Sequence, residues 1–225
     1  MTIEAQNIRK EYIREGIGTN RYEVVKRTDF RADSGTISVI RGRSGSGKST
    51  FVGMLCGITS PTEGRVLYDG KDIFAVMDKE RSAFRNAHIG YIPQGRSALM
   101  ALNVMENIRM PAALYHKESE KVTAYARALM ERLDILHLAS AMPAELSGGE
   151  LRRMAIARAL LLSPEVLFAD EPTGDLDDEN TKVVWDELRR AAADGSTVIL
   201  VTHEDEAEAY ADAVYRMDAG VLVRN

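Results

Sequence analysis

The chain has one cysteine, no long apolar run and no excess of positive charge among its 225 residues. The single thiol, Cys56, excludes an internal disulfide framework and suits a reducing compartment. It falls in an apolar segment, where a small buried residue is the expected role. No stretch approaches the roughly 20 apolar residues that a bilayer-spanning helix needs. The opening Met1-Thr-Ile-Glu-Ala-Gln lacks the basic start and apolar centre of a secretory signal. Any membrane role is therefore expected to come through a separate subunit. A net charge of −5 argues against nucleic acid as the main partner, since phosphate-binding surfaces are usually basic. Repeats, low-complexity tracts and linkers are also missing. What remains is a length suited to one large α/β domain, with 45% apolar and 28% charged residues as in ordinary globular proteins.

The pattern along the chain predicts that architecture. Short strands are expected around Thr2–Arg9, Val24–Phe30, Thr36–Ile40 and Arg65–Tyr68, the last framed by the turns Ser60–Gly64 and Asp69-Gly70. From about Asp78 to Leu162 the pattern is mostly helical. Val122, Tyr125, Ala126, Leu129, Met130 and Leu133 follow amphipathic spacing, expected to serve packing rather than binding. Strand and helix signals then alternate again: Val166–Ala169, a helix near Asn180–Ala193, Thr197–Thr202, and a helix from about Glu204. Strands that are apolar throughout indicate a mainly parallel sheet covered on both faces. The helical middle reads as an insertion.

Gly42-Arg43-Ser44-Gly45-Ser46-Gly47-Lys48-Ser49 matches G-x-x-x-x-G-K-[ST], preceded by a strand and followed by a helix-like run. Its glycines permit backbone angles and close approaches that side chains would prevent. The following helix turns its free N–H groups toward an anion. Lys48 is expected to reach the β- and γ-phosphates, and the Ser49 hydroxyl to bind Mg²⁺. Asp170 ends the run Val166-Leu-Phe-Ala-Asp170, at the strand edge where such folds bind ligands, and can hold Mg²⁺. Its neighbour Glu171 can orient or deprotonate an attacking water. In Leu146-Ser147-Gly148-Gly149-Glu150 the Ser–Glu spacing is a capping box for the helix that follows. A capped N-terminus behind two glycines is also a second anion site, for which one chain alone has no evident use.

In this order and spacing, the three motifs Gly42–Ser49, Leu146–Glu150 and Val166–Glu171 resemble the nucleotide-binding subunit of ABC (ATP-binding cassette) transporters. The resemblance covers nearly the whole chain. It implies a P-loop NTPase core with a mainly parallel sheet, an N-terminal antiparallel β-subdomain and an inserted α-helical signature subdomain. Residues 1–225 would form one ATPase domain, with the helical part at about 78–162. ATP and Mg²⁺ would be the cofactors, and two copies would pair head to tail. The Ser147, Gly148, Gly149 and Glu150 turn of one copy would then close over nucleotide held by Gly42, Arg43, Ser44, Gly45, Ser46, Gly47, Lys48, Ser49 and Thr50 of the other. Further positions match the family. Tyr12 sits where an aromatic stacks on adenine, and Gln94 where a glutamine touches Mg²⁺ and water and senses the membrane subunit. Asp177 stands in the loop that talks across the dimer, and His203 where a switch histidine contacts the γ-phosphate. Two departures stand out: Gly95-Arg96-Ser97 lacks the aromatic pattern expected after Gln94, and Glu150 replaces the commoner glutamine.

Pro61–Asp69, Arg85–Gly90 and the short C-terminus are similar to the macrolide-exporter and lipoprotein-release type, with no appended regulatory domain expected. The implied function is an ATPase subunit on the inner face of the cell membrane, held there by an integral membrane permease. An alternative is an ABC ATPase that regulates cell-envelope enzymes through a membrane partner. A ribosome- or DNA-acting ATPase is disfavoured, since neither a second cassette nor a long coiled coil is present.

Overall fold

A computed structural model describes residues 1–14, 20–95, 97–174 and 176–225. Arg96, Asp175 and most of the Glu15–Arg21 insertion therefore lie outside the described residues. Two sheets organise the chain. A four-stranded antiparallel sheet has the order β2-β1-β4-β5, from β1 (Ile3–Arg14), β2 (Asn20–Ala32), β4 (Glu63–Tyr68) and β5 (Lys71–Asp72). The six-stranded sheet has the order β10-β9-β3-β8-β7-β6. In it β3 (Ile37–Arg41), β6 (Ile89–Ile92), β7 (Val166–Asp170), β8 (Thr197–Thr202) and β9 (Ala213–Asp218) run parallel, and β10 (Val221–Arg224) closes the edge antiparallel.

The central parallel strands β3, β7 and β8 are buried along almost their entire length, as their mainly apolar sequences require. Successive residues nevertheless enter different cores. Val39, Leu167, Ala169, Val198 and Leu200 join one apolar cluster with the helical insertion and with α6 (Asp178–Ala193). Ile40, Val166, Phe168, Ile199 and Val201 join the other, with α1 (Lys48–Leu55) and the antiparallel sheet.

The insertion contains α2 (Asp78–His88), α3 (Val104–Leu114), α4 (Glu120–Arg132) and α5 (Gly148–Leu160). On α4, Ala126, Leu129 and Met130 are fully buried, as is Leu133 just beyond it, so the amphipathic stripe is a packing face. Glu187 of α6 pins this layer through Arg132 Nε at 2.8 Å, and it also pairs with Arg190 Nε of its own helix at 3.3 Å. Two local expectations need correction. The helical stretch from Asp78 is broken by β6, which pairs with β7 and supplies the sheet edge leading to Gln94. The segment after His203 is 3₁₀ over Asp205–Tyr210 rather than α-helical. Arg41 at the end of β3 makes ion pairs with Asp205 and Glu208, which draws this acidic turn against the sheet.

Candidate nucleotide site

Parallel strands deliver their carboxyl ends to one edge, and β3, β8, β7 and β6 are neighbours in that order. Each is followed by a residue or loop singled out in the sequence: the glycine loop after β3, His203 after β8, Glu171 after β7, Gln94 just past β6. All of these contribute to one cavity of about 610 Å³, which Lys48, Ser49, Thr50 and Asp170 also line. It occupies the position where open α/β sheets bind ligands.

The glycine loop has the shape that a phosphate cradle needs. Gly47 precedes α1 with φ of 105°, a left-handed angle that other residues adopt only with strain. A Cβ on Gly42 would stand 2.3 Å from the Met217 carbonyl oxygen, so the loop packs where only glycine fits. No side chain caps α1 and no acidic residue occupies its first turn, so its N–H groups and partial positive charge stay available to an anion. Lys48 Nζ donates to the carbonyls of Gly42 at 2.6 Å and Arg43 at 3.0 Å, holding the ammonium within the loop. Arg43, Ser44 and Gly45 are exposed at the mouth, whereas Ser46 is buried with its hydroxyl unpaired.

The Ser49 hydroxyl donates to Asp170 Oδ2 at 3.3 Å. A hydroxyl beside a carboxylate is a hard-oxygen donor set of the kind Mg²⁺ prefers. Asp170 is only 4% exposed, and burial pushes its carboxyl above the ordinary aspartate range, partly offset by the Ser49 bond. A cation there would relieve that desolvation cost. The observed donors therefore fit Mg²⁺ held by Ser49 and Asp170, with exposed Gln94 on the same wall.

Glu171 has φ of 50°, uncommon for a residue with a side chain, and its N–H is held by the Val201 carbonyl at 2.8 Å. Both carboxylate oxygens are engaged. Oε2 accepts from the Thr202 hydroxyl at 2.9 Å, and Oε1 lies 2.8 Å from His203 Nδ1. The carboxylate bond and charge raise the pKa of His203 above its ordinary value. Thr202 was not singled out in the sequence. Its one signal was a hydroxyl closing the apolar run Val198–Val201.

The remaining sequence-predicted residues do not line this cavity. Ser147 caps α5: its hydroxyl donates to Glu150 Oε2 at 2.8 Å, and Ser147 N donates to the same oxygen at 2.7 Å. These bonds hold the Glu150 carboxyl below the usual glutamate range. Gly148 and Gly149 form the first turn, and an added Cβ at Gly148 would meet open space. Asp177 caps α6, accepting from Asn180 N at 2.8 Å, which likewise lowers its pKa. Tyr12 stands on β1 with its ring against Tyr22, centroids 5.9 Å apart.

Comparison with known proteins agrees with this geometry. The sequence profile described as ABC transporter matches residues 25–174. The lipoprotein-releasing system ATP-binding protein LolD of Syntrophus aciditrophicus is 39% identical over 204 residues, covering 89% of each chain. The ABC transporter ATP-binding protein YtrE of Bacillus subtilis is 36% identical over 204 residues, covering 90% of this chain and 88% of that one. Among solved structures, a dimeric post-hydrolysis state of the ATP-binding cassette MJ0796, bound to ADP and Pi, superposes with a TM-score of 0.90 at 26% identity. That match covers 99% of this chain and 98% of the other.

Proposed function

The chain belongs to the ABC transporter family as its ATP-binding, ATP-hydrolysing subunit, and from that premise we propose how its site works and what it drives. The observation that carries the reading is the convergence of Lys48, Ser49, Asp170, Glu171, Gln94 and His203 on one cavity at the carboxyl edge of the sheet. Gly42–Thr50 binds the nucleotide phosphates, with Lys48 as the fixed positive charge among loop carbonyls. Ser49, Asp170 and Gln94 hold Mg²⁺, which when bound neutralises phosphate charge. Glu171 accepts the proton of the attacking water, and His203 contacts the terminal phosphate. Tyr12 offers its ring to the adenine base.

Ser147, Gly148, Gly149, Glu150 and Asp177 act in trans. They stand at the starts of α5 and α6, outside the cavity of their own protomer, so that a second copy would have to present them to the nucleotide. Residues 1–225 work as one ATPase domain whose helical part carries the Ser147 turn. Dimer closure on ATP and opening after hydrolysis deliver motion to an integral membrane permease. The exposed Ile58, Leu114 and Tyr115, around a groove between α2, α3 and the turn after α1, offer that permease an apolar contact. Among the described residues no helix is long and apolar enough to cross a membrane. On this reading the permease holds the subunit at the inner face of the cell membrane. The lipoprotein-release relatives support extrusion of a lipoprotein, peptide or drug over a purely regulatory role.

The trans arrangement is testable with single-cysteine proteins. On a Cys56→Ser background, a Ser44→Cys protein is mixed with a Gly148→Cys protein and treated with a short bifunctional thiol reagent. A crosslinked heterodimer should form only with Mg²⁺ and a non-hydrolysable ATP analogue. Absence of that product, with nucleotide demonstrably bound, would refute the head-to-tail site.

A further inference from the structure

Building on the reading of Glu171 as the base, we propose that Thr202 is its positioning residue, fixing Oε2 so that Oε1 alone is presented to the reacting water. Three observations support a division of labour between the two oxygens. First, Thr202 ends a strand whose other residues are apolar or, like itself, fully buried. A buried hydroxyl without partners is costly, so Thr in place of Val there calls for a reason. Its hydrogen-bonding capacity is spent on the site: it donates to Glu171 Oε2 at 2.9 Å and accepts from Glu204 N at 3.1 Å.

Second, the two contacts of Glu171 differ in exposure. The Glu171 side chain is 11% exposed and that of His203 is 70% exposed. The histidine contact at Oε1 can therefore be exchanged for a ligand or water at little cost in packing, whereas the threonine contact at Oε2 lies inside the protein. Third, Glu171 holds a left-handed backbone angle, which persists only where surroundings over-determine it. The end of β8 and the segment after it each supply a restraint: Thr202 holds Glu171, and the Glu204 carboxylate accepts from the Thr173 hydroxyl at 2.5 Å. When His203 turns toward nucleotide, Thr202 keeps the carboxylate from rotating after it.

The test compares steady-state Mg-ATP hydrolysis by the full chain with Thr202→Val, which keeps the shape and removes the donor, and Thr202→Ser, which restores the donor. The expected loss for the Val variant is roughly tenfold to a hundredfold in kcat, with KM within about twofold of the parent. Ser should recover most of that loss. An unchanged kcat in the Val variant, a loss confined to KM, or a Ser variant as slow as Val would each overturn the proposal. If the Val protein does not fold, Thr202→Cys, of similar volume but a weak donor, replaces it under the same criteria. Glu171→Gln run alongside separates two failures. Near-normal turnover there removes the base assignment itself, whereas an inactive Glu171→Gln with an unaffected Thr202→Val removes only the role of Thr202.

Discussion

Glu171→Gln is the most informative single change, because the structure lets its chemical and structural effects be separated. The substitution preserves volume, and the amide can satisfy both neighbours. Its oxygen can accept from the Thr202 hydroxyl, and its NH₂ can donate to His203 Nδ1 across the present 2.8 Å. Stability should therefore change by no more than about 1 kcal/mol, a Tm shift of roughly 2–4 °C for a chain of this size. The amide cannot accept a proton, so the general-base contribution, typically about 10²–10⁴ in rate, should vanish. Lys48, Ser49 and Asp170 are untouched, so nucleotide affinity should persist. The assay is phosphate release with Mg-ATP, paired with size-exclusion chromatography on the same samples. Expected are turnover near background and an ATP-dependent dimer that outlives the parent's. Hydrolysis within a few-fold of the parent would refute Glu171 as the base.

Other consequences follow from the same geometry. Gly42→Ala would place a methyl 2.3 Å from the Met217 carbonyl, and should abolish nucleotide binding by filter or fluorescence assay while leaving a folded circular dichroism spectrum. Glu187→Ala strands Arg132 between α4 and α6, and should lower stability by about 2 kcal/mol, or Tm by roughly 4–8 °C. The His203 ion pair gives a pH signature. Its folded pKa is raised, so its stabilisation is complete below about pH 6.5 and disappears as pH rises through the higher folded value. The Tm difference between the parent and His203→Gln should therefore shrink from pH 6 to pH 8.5, and a difference that grows would exclude the pairing. Trp185, the single tryptophan, stacks on Tyr210 with centroids 4.5 Å apart and should report motion of the segment after His203. Nucleotide should change its fluorescence, and Tyr210→Leu should remove the response.

The phosphate loop was legible because its glycines coincide with backbone angles and contacts that other residues resist, so composition there encodes geometry. The Val166–Asp170 and Thr197–Thr202 runs were legible for a related reason: strands buried on both faces have no polar alternation to conceal them. By contrast β6 is four residues within a helical neighbourhood and is defined by pairing with β7, a contact remote in sequence. The acidic segment Asp205–Tyr210 has the composition of a helix start, yet Arg41 from β3 draws it into a tighter turn. The left-handed angle of Glu171 and its grip by Thr202 left almost no trace, because a strand-ending threonine is as often a simple β-former. Pairing through space, rather than local preference, wrote these features.

The central sheet acts as a partition. Val198 and Ile199 are joined by a peptide bond yet face separate hydrophobic compartments, as do Leu167 and Phe168. Defects on opposite sides can therefore communicate only through the shared backbone ladder, and paired substitutions across it should combine additively where pairs within one compartment do not. A substitution in the compartment of the helical insertion should therefore leave the packing behind the phosphate loop undisturbed.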